Sequence, residues 1–251
     1  MKQLLILAFS FVLFTGLAFC KKGRIVGGSV VPLIELHPYQ VSLSNPLDGH
    51  YCGGAIISPF HILTAAHCVV PYRKNSVIYT GSAHANAGDV HHIVEISTHS
   101  NYVGAETFWA YDIAIIKLQN PIIYNARQLP VKLPLRPVQS NDLATIAGWG
   151  YLKQNETSTS SILRVARMRM HSGEECKTKH DSDINPEVQI CAFNSFGVGA
   201  CQGDSGGPLV GQDGRVYGIT SWVRGCGKGH RDVYTNVFRF RNWIERILYH
   251  S

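Results

Sequence analysis

The sequence lacks most of what would mark a nucleic-acid, membrane or repeat protein. It has no run of more than two consecutive Lys or Arg, and four of its positive charges (Lys2, Lys21, Lys22, Arg24) fall in residues 1–24, a stretch without an acid. The formal charge of +6 over 251 residues therefore falls to +2 beyond Arg24. That removes the electrostatic basis for a nucleic-acid or membrane-surface partner. The main apolar stretch, Leu4 through Ala18, is shorter than the ~20 residues a spanning helix needs. Internal repeats and low-complexity arrays are absent, which excludes solenoids and linker-like chains. Helical periodicity is scarce, with one convincing stripe at the end: Val237, Phe240, Ile244, Ile247 and Leu248 share a face while Arg239, Asn242 and Arg246 point away.

What the chain does have is short apolar segments rich in β-branched residues. Val77 to Tyr79, Ile93 to Ile96, Ile113 to Leu118, Leu143 to Ala147, Val216 to Trp222 and Val233 to Val237 are separated by Gly, Pro, Asn and Ser clusters. This rhythm predicts an all-β fold, and the hydrophobic content of 45% supplies an ordinary globular core. Residues 1–20 read as a secretory signal peptide: Lys2, an apolar centre, then short residues, with cleavage after Ala18 or Cys20 both open. Seven cysteines, less Cys20, leave an even set of six (Cys52, Cys68, Cys176, Cys191, Cys201, Cys226) with 15 possible pairings, consistent with an oxidising, extracellular setting.

The most informative stretch is Cys201-Gln202-Gly203-Asp204-Ser205-Gly206-Gly207-Pro208. Its glycines let the backbone turn tightly and leave main-chain N–H groups unpaired, so one loop can present a hydroxyl nucleophile and an oxyanion-binding site together. A serine hydroxyl needs a base and a group that orients the base. His67 ends the apolar run Leu63-Thr64-Ala65-Ala66, and Asp112 heads the apolar strand Ile113-Ala114-Ile115-Ile116. Singly, His67 is one of twelve histidines and Asp112 a strand-end cap; together with Ser205 they point to catalysis.

From Ile25 onward these motifs resemble the chymotrypsin-like (trypsin-like) serine endopeptidases. TAAHC, DIAII, GWG at Gly148 to Gly150, GDSGGP, Ser221-Trp222 and Val233-Tyr234-Thr235 occur in that family's order, with Asp112 45 residues after His67 and Ser205 a further 93 on. The resemblance implies two six-stranded antiparallel β-barrels with the active site in the cleft between them and a C-terminal α-helix. It makes His67 the base, Asp112 its orienting acid, Ser205 the nucleophile, and the N–H groups of Gly203 and Ser205 the oxyanion hole. It pairs Cys52 with Cys68, Cys176 with Cys191, and Cys201 with Cys226. It makes residues 21–24 an activation propeptide cut after Arg24, freeing the Ile25 ammonium to pair with Asp204. Residues 25–251 would form the peptidase domain, the first barrel about 25–133 and the second about 134–251, with Gln128 to Pro137 as crossover. Implied partners are polypeptide substrates, an activating trypsin-like protease and protein inhibitors of proteases. The expected form is a secreted monomer without cofactor or bound metal. The alternatives left open are trypsin-type specificity through Asp232 and a non-catalytic homologue acting by binding.

The substrate pocket departs from the common pattern. Gly199 stands six residues before Ser205, where trypsins carry aspartate; Ala200 follows it, and Val223 stands after Ser221-Trp222 where glycine is usual. A carboxylate appears instead at Asp232. Gly199 with Asp232 resembles crustacean and insect collagenolytic serine proteases, so cleavage after Leu, Phe or Tyr with some cleavage after Arg or Lys is expected. Arg224 is placed either along the cleft beyond the pocket or in solvent. Asn155-Glu156-Thr157 is an N-glycosylation acceptor pattern in a polar loop, and His84, Asp89, His91 and His92 form a histidine group without metal-ligand spacing.

Overall fold

A computed structural model describes residues 25–179 and 183–250. The segments expected to be signal peptide and propeptide, residues 1–24 with Arg24, lie outside the described residues. Among the described residues there are thirteen strands. A first closed barrel is built from β2 (Gln40–Asn45), β3 (Gly49–Ile56), β4 (His61–Thr64), β5 (Val77–Thr80), β6 (Asp89–Thr98) and β7 (Ala114–Leu118), in the order β2-β3-β4-β7-β6-β5 with β5 returning to β2. A second is built from β8 (Leu143–Gly148), β9 (Arg164–His171), β10 (Gln189–Phe193), β11 (Pro208–Gly211), β12 (Val216–Trp222) and β13 (Asp232–Asn236), closed by pairing of β8 with β9. All these pairings are antiparallel, so each six-stranded barrel leaves no long free edge. The short β1 (Ser29–Val30) pairs with β9, tying the start of the described chain to the second barrel.

The strand patterns explain the closure. β9 reads Arg-Val-Ala-Arg-Met-Arg-Met-His, and its inward Ala166, Met168 and Met170 are buried while Arg167 and Arg169 face out. In contrast β2, β4 and most of β7 are buried on both sides, because β7 and its neighbours lie between barrel interior and the rest of the molecule. Val41, Leu43, Ile56, Ile62, Ile78 and Ile115 form the first interior; Ile146, Met168, Ile190, Leu209 and Tyr234 form the second.

The described residues also hold two α-helices, α1 (Gly173–Lys179) and α2 (Val237–His250). The stripe predicted for α2 is the buried one: Val237, Phe240 and Ile244 join the first barrel's hydrophobic cluster, with Ile247 and Leu248 packed beside them. Phe240 meets Tyr111 and His99 edge-on, at ring distances of 5.9 and 5.1 Å. A helix that follows the second barrel thus grips the segment of the first barrel next to Asp112. Burial of a phenylalanine of this kind contributes about 1.5–3 kcal/mol. The one stripe read from the sequence missed α1, whose seven residues span too few turns to show a period. Among the described residues, disulfides join Cys52 to Cys68, Cys176 to Cys191 and Cys201 to Cys226.

Candidate active site

His67 sits in a single 3-10 turn, Ala66–Cys68, immediately beyond β4, and the Cys52–Cys68 disulfide fixes that turn to β3. Asp112 precedes β7, the strand paired with β4, so the register of one antiparallel pair brings the two side by side. Asp112 is fully buried and must be satisfied by hydrogen bonds. Its Oδ1 accepts the main-chain N–H of His67 at 2.9 Å, and its Oδ2 lies 2.7 Å from His67 Nδ1. Oδ2 also accepts the Ser221 hydroxyl at 2.6 Å, and the Asp112 carbonyl accepts the Thr235 hydroxyl at 2.6 Å. Ser221 and Thr235 belong to β12 and β13, so the second barrel holds an acid that the first barrel supplies.

Ser205 lies on the turn leading into β11. Its carbonyl accepts the Gly53 N–H of β3 at 2.7 Å, another bond across the barrels. Gly206, at φ +77°, packs so tightly on Thr64, Gly53 and the Cys68 sulfur that a Cβ there would collide with Thr64 Oγ1. Around Ser205 the N–H groups of Asp204, Gly206 and Gly207 are bonded to Cys201, Thr220 and Asp204 carbonyls. Those of Gly203 and Ser205 donate to nothing among the described residues. No hydrogen bond joins Ser205 Oγ to His67 Nε2 in this geometry; Nε2 lies 3.8 Å from Cys68 Sγ. Cys201, Gln202, Ser205, Thr220, Ser221, Trp222 and Val223 line a cleft of about 180 Å³.

One residue at this site carried no sequence signal. His50, on β3, is buried beneath the Ser205 turn, its Nε2–H donating to the Gly203 carbonyl at 2.9 Å and its Nδ1 2.7 Å from Ser42 Oγ. Burial outweighs the bond to Gly203 and holds His50 down to about 4, so it is a neutral donor near pH 7. Only closure of the first barrel on the second brings it under the turn.

Three titratable groups without a cation lie beneath the cleft. Asp204 accepts the N–H groups of Gly150 at 2.8 Å and Cys201 at 2.9 Å, yet burial pushes it up to about 7. Asp232 accepts the Ala200 N–H at 2.7 Å and is pushed up to about 8 by burial, with the neighbouring Asp204 adding to the rise. Tyr234 is raised by burial and by both carboxylates, and its hydroxyl has no hydrogen-bond partner among the described residues. Asp232 is 3% exposed, and its carboxylate lies where a Cβ on Gly199 would meet it at 2.8 Å. Val223 is half-buried at the cleft and Arg224 is exposed, paired with Asp183.

Ile25 is buried in the second barrel's core, and the next residue, Val26, bridges to Gly199, whose N–H it accepts at 3.1 Å. The histidine group is dispersed: His84 precedes β6 and bridges to Ile162, while on β6 His91 bonds to Thr80 and Asp89 accepts from Gln128. Cys52, His67 and Cys68 do crowd together, but the two sulfurs are bonded to each other.

A carboxylate shared by an imidazole and a hydroxyl of the opposite barrel, beside a serine in a glycine turn, defines the class of a two-barrel serine hydrolase. Comparison with known proteins agrees. The trypsin family matches residues 25–244. Trypsin 5G1 of Aedes aegypti is 35% identical over 236 residues, covering 92% of this chain and 87% of that protein. Chymotrypsin-2 of Vespa crabro is 36% identical over 225 residues, covering 88% and 99% respectively. Coagulation factor XI of Bos taurus is 36% identical over 239 residues, 89% of this chain but 37% of that protein. The chain belongs to the trypsin family and is a serine endopeptidase.

Proposed function

We propose that the protein is a secreted serine endopeptidase made as a zymogen, with His67, Asp112 and Ser205 as its triad and a mainly apolar primary specificity. The observation that carries the reading is the Asp112 carboxylate, which fixes the His67 ring through Nδ1 at 2.7 Å and the His67 backbone at 2.9 Å. Bonded in this way, Nδ1 keeps its proton and Nε2 is the free basic nitrogen. As substrate enters, Ser205 Oγ closes on Nε2; such contacts are often loose in the unliganded site and tighten in the Michaelis complex. Oγ bonds to the scissile carbonyl carbon, its proton passes to Nε2, and the carbonyl oxygen takes negative charge between the unpaired N–H groups of Gly203 and Ser205. Nε2 then gives the proton to the leaving amine, and water, deprotonated by the same nitrogen, releases the acyl group.

Asp204 and Asp232 are two buried acids that call for cations. The ammonium released at Ile25 by cleavage after Arg24 answers the first, since an unpaired buried carboxylate costs several kcal/mol. A substrate Lys or Arg side chain answers the second. Without such a cation Asp232 is neutral near pH 7, held up to about 8, so Leu, Phe and Tyr are the preferred residues before the cut and basic cleavage is secondary. Val223 narrows the cleft against the bulkiest rings. Maturation of the full chain by cleavage at Arg24, followed by a peptide-library cleavage profile and active-site phosphonate labelling, tests this. Strict Arg/Lys cleavage would overturn the specificity, and no labelling of folded, processed protein would leave a binding role.

A further inference from the structure

The sequence carries one Asn-X-Ser/Thr acceptor, Asn155-Glu156-Thr157, and the catalytic reading leaves it unused. It falls in the loop between β8 and β9. Asn155 and Thr157 are exposed, Asn155 is in the left-handed region at φ +67°, and its amide makes no hydrogen bond among the described residues. Glu156 stays within the turn, accepting the Leu152 N–H at 2.8 Å. The acceptor amide and the hydroxyl two residues on are therefore both at the surface, where a bulky attachment displaces no core group.

The loop is tied to the cleft near its start and closed on itself at its base. Tyr151 N–H donates to the Gln202 carbonyl at 2.8 Å, and Ser160 N–H to the Trp149 carbonyl at 2.7 Å. A Cβ on Gly225 would lie 3.2 Å from Gln154 Oε1, and one on Gly203 3.0 Å from Thr159 Cγ2. Gln202 lines the cleft itself, and Gly225 follows closely on Val223, which lines it too. A group attached one residue after Gln154 thus stands near the rim of the cleft.

We propose that Asn155 carries an N-linked glycan that screens the cleft from folded macromolecules while leaving short peptides free to enter. Attachment rests on the proposed secretory route. The Asn155 amide nitrogen displaces the pyrophosphate of a lipid-linked oligosaccharide at its anomeric carbon; the N–C bond forms, the C–O bond breaks, and the amide gives up one proton. The screen acts on association alone, because nothing in the loop touches His67 or Asp112.

The full chain, secreted from a eukaryotic host and matured at Arg24, is compared as wild type, Asn155→Gln, Thr157→Ala and wild type trimmed natively to a single sugar by endoglycosidase. Mass spectrometry should find the peptide containing Asn155 heavier by an oligosaccharide in the wild type only. Turnover of a short peptide should agree across all forms, whereas capture by a folded protein inhibitor should be about tenfold faster without the glycan, a change in association rate. An unmodified Asn155 in secreted wild type, or equal capture rates for full-length and trimmed glycan, overturns the proposal. Failure of every form to turn over the short peptide or take up a phosphonate would count instead against the catalytic reading, with the mass still deciding the modification.

Discussion

Ser221 on the second barrel donates its hydroxyl at 2.6 Å to Oδ2 of Asp112, an acid that belongs to the first. That oxygen is also the one facing His67 Nδ1, so the orienting acid is shared between a base and a strand of the opposite half. A hydrogen bond to a charged group is worth about 1.5–3 kcal/mol. Ser221→Ala is therefore expected to lower kcat by roughly 10- to 100-fold, with active-site titration showing an intact enzyme concentration. Thr235→Val, which removes only the bond to the Asp112 carbonyl, should cost about 1 kcal/mol of stability in denaturant melts and less in rate.

Neutral His50 braces the Gly203 carbonyl from below. His50→Ala should reduce kcat about tenfold with KM little changed, as the Gly203 peptide loses its anchor. It should also alter acid stability. Because the folded-state pKa, about 4, lies below the ordinary 6.5, the native form binds fewer protons than the unfolded one between those values. Its contribution is present above 6.5 and is lost as pH falls toward 4. Melts of the variant should lack that part of the acid decline.

Asp204 gives the opposite slope before maturation. Its folded pKa is raised from 3.8 to about 7, so the native chain holds the proton longer and stability declines as pH rises through that interval. Relative to wild type, uncleaved Asp204→Asn should gain thermal stability from pH 4 to 7. Cleavage at Arg24 should abolish the difference in slope by supplying an ammonium, and the cleaved variant should remain inactive toward peptide esters.

Under the proposed specificity, Asp232, held up to about 8, is expected to make substrate choice depend on pH. The ratio of kcat/KM for a Lys or Arg substrate over a Leu substrate should climb between pH 7 and 9 as the carboxyl ionises. Asp232→Asn should flatten that climb and keep Leu cleavage; a ratio that is steady in wild type would remove Asp232 from substrate recognition.

The legible part of the molecule was that in which chemistry compels a local pattern. Ser205 needs glycines beside it, His67 and Asp112 each end or begin a buried apolar run, and α2 shows fourteen residues of continuous stripe. His50, Ser221 and Thr235 were different. Their roles arise from bonds spanning 109 and 123 residues for the two hydroxyls and 153 for the histidine, contacts that only barrel docking creates. Asp232 was visible as a displaced carboxylate, but its bond to the Ala200 N–H and its burial depend on β13 running beneath the 199–201 segment. Helix α1 escaped because two turns tethered by the Cys176–Cys191 bridge need no stripe.

Val26 and Gly199 form a single backbone rung between the segment that follows Arg24 and the residue proposed for the pocket wall. Under the proposed maturation and specificity, one ladder step joins the neighbourhood of the cut with the place where side chains are chosen. An immature molecule in which that rung is undone would not be a slower or less selective protease; it would lack a surface on which to discriminate at all. Competence and discernment would then arrive together, at the moment the new terminus docks.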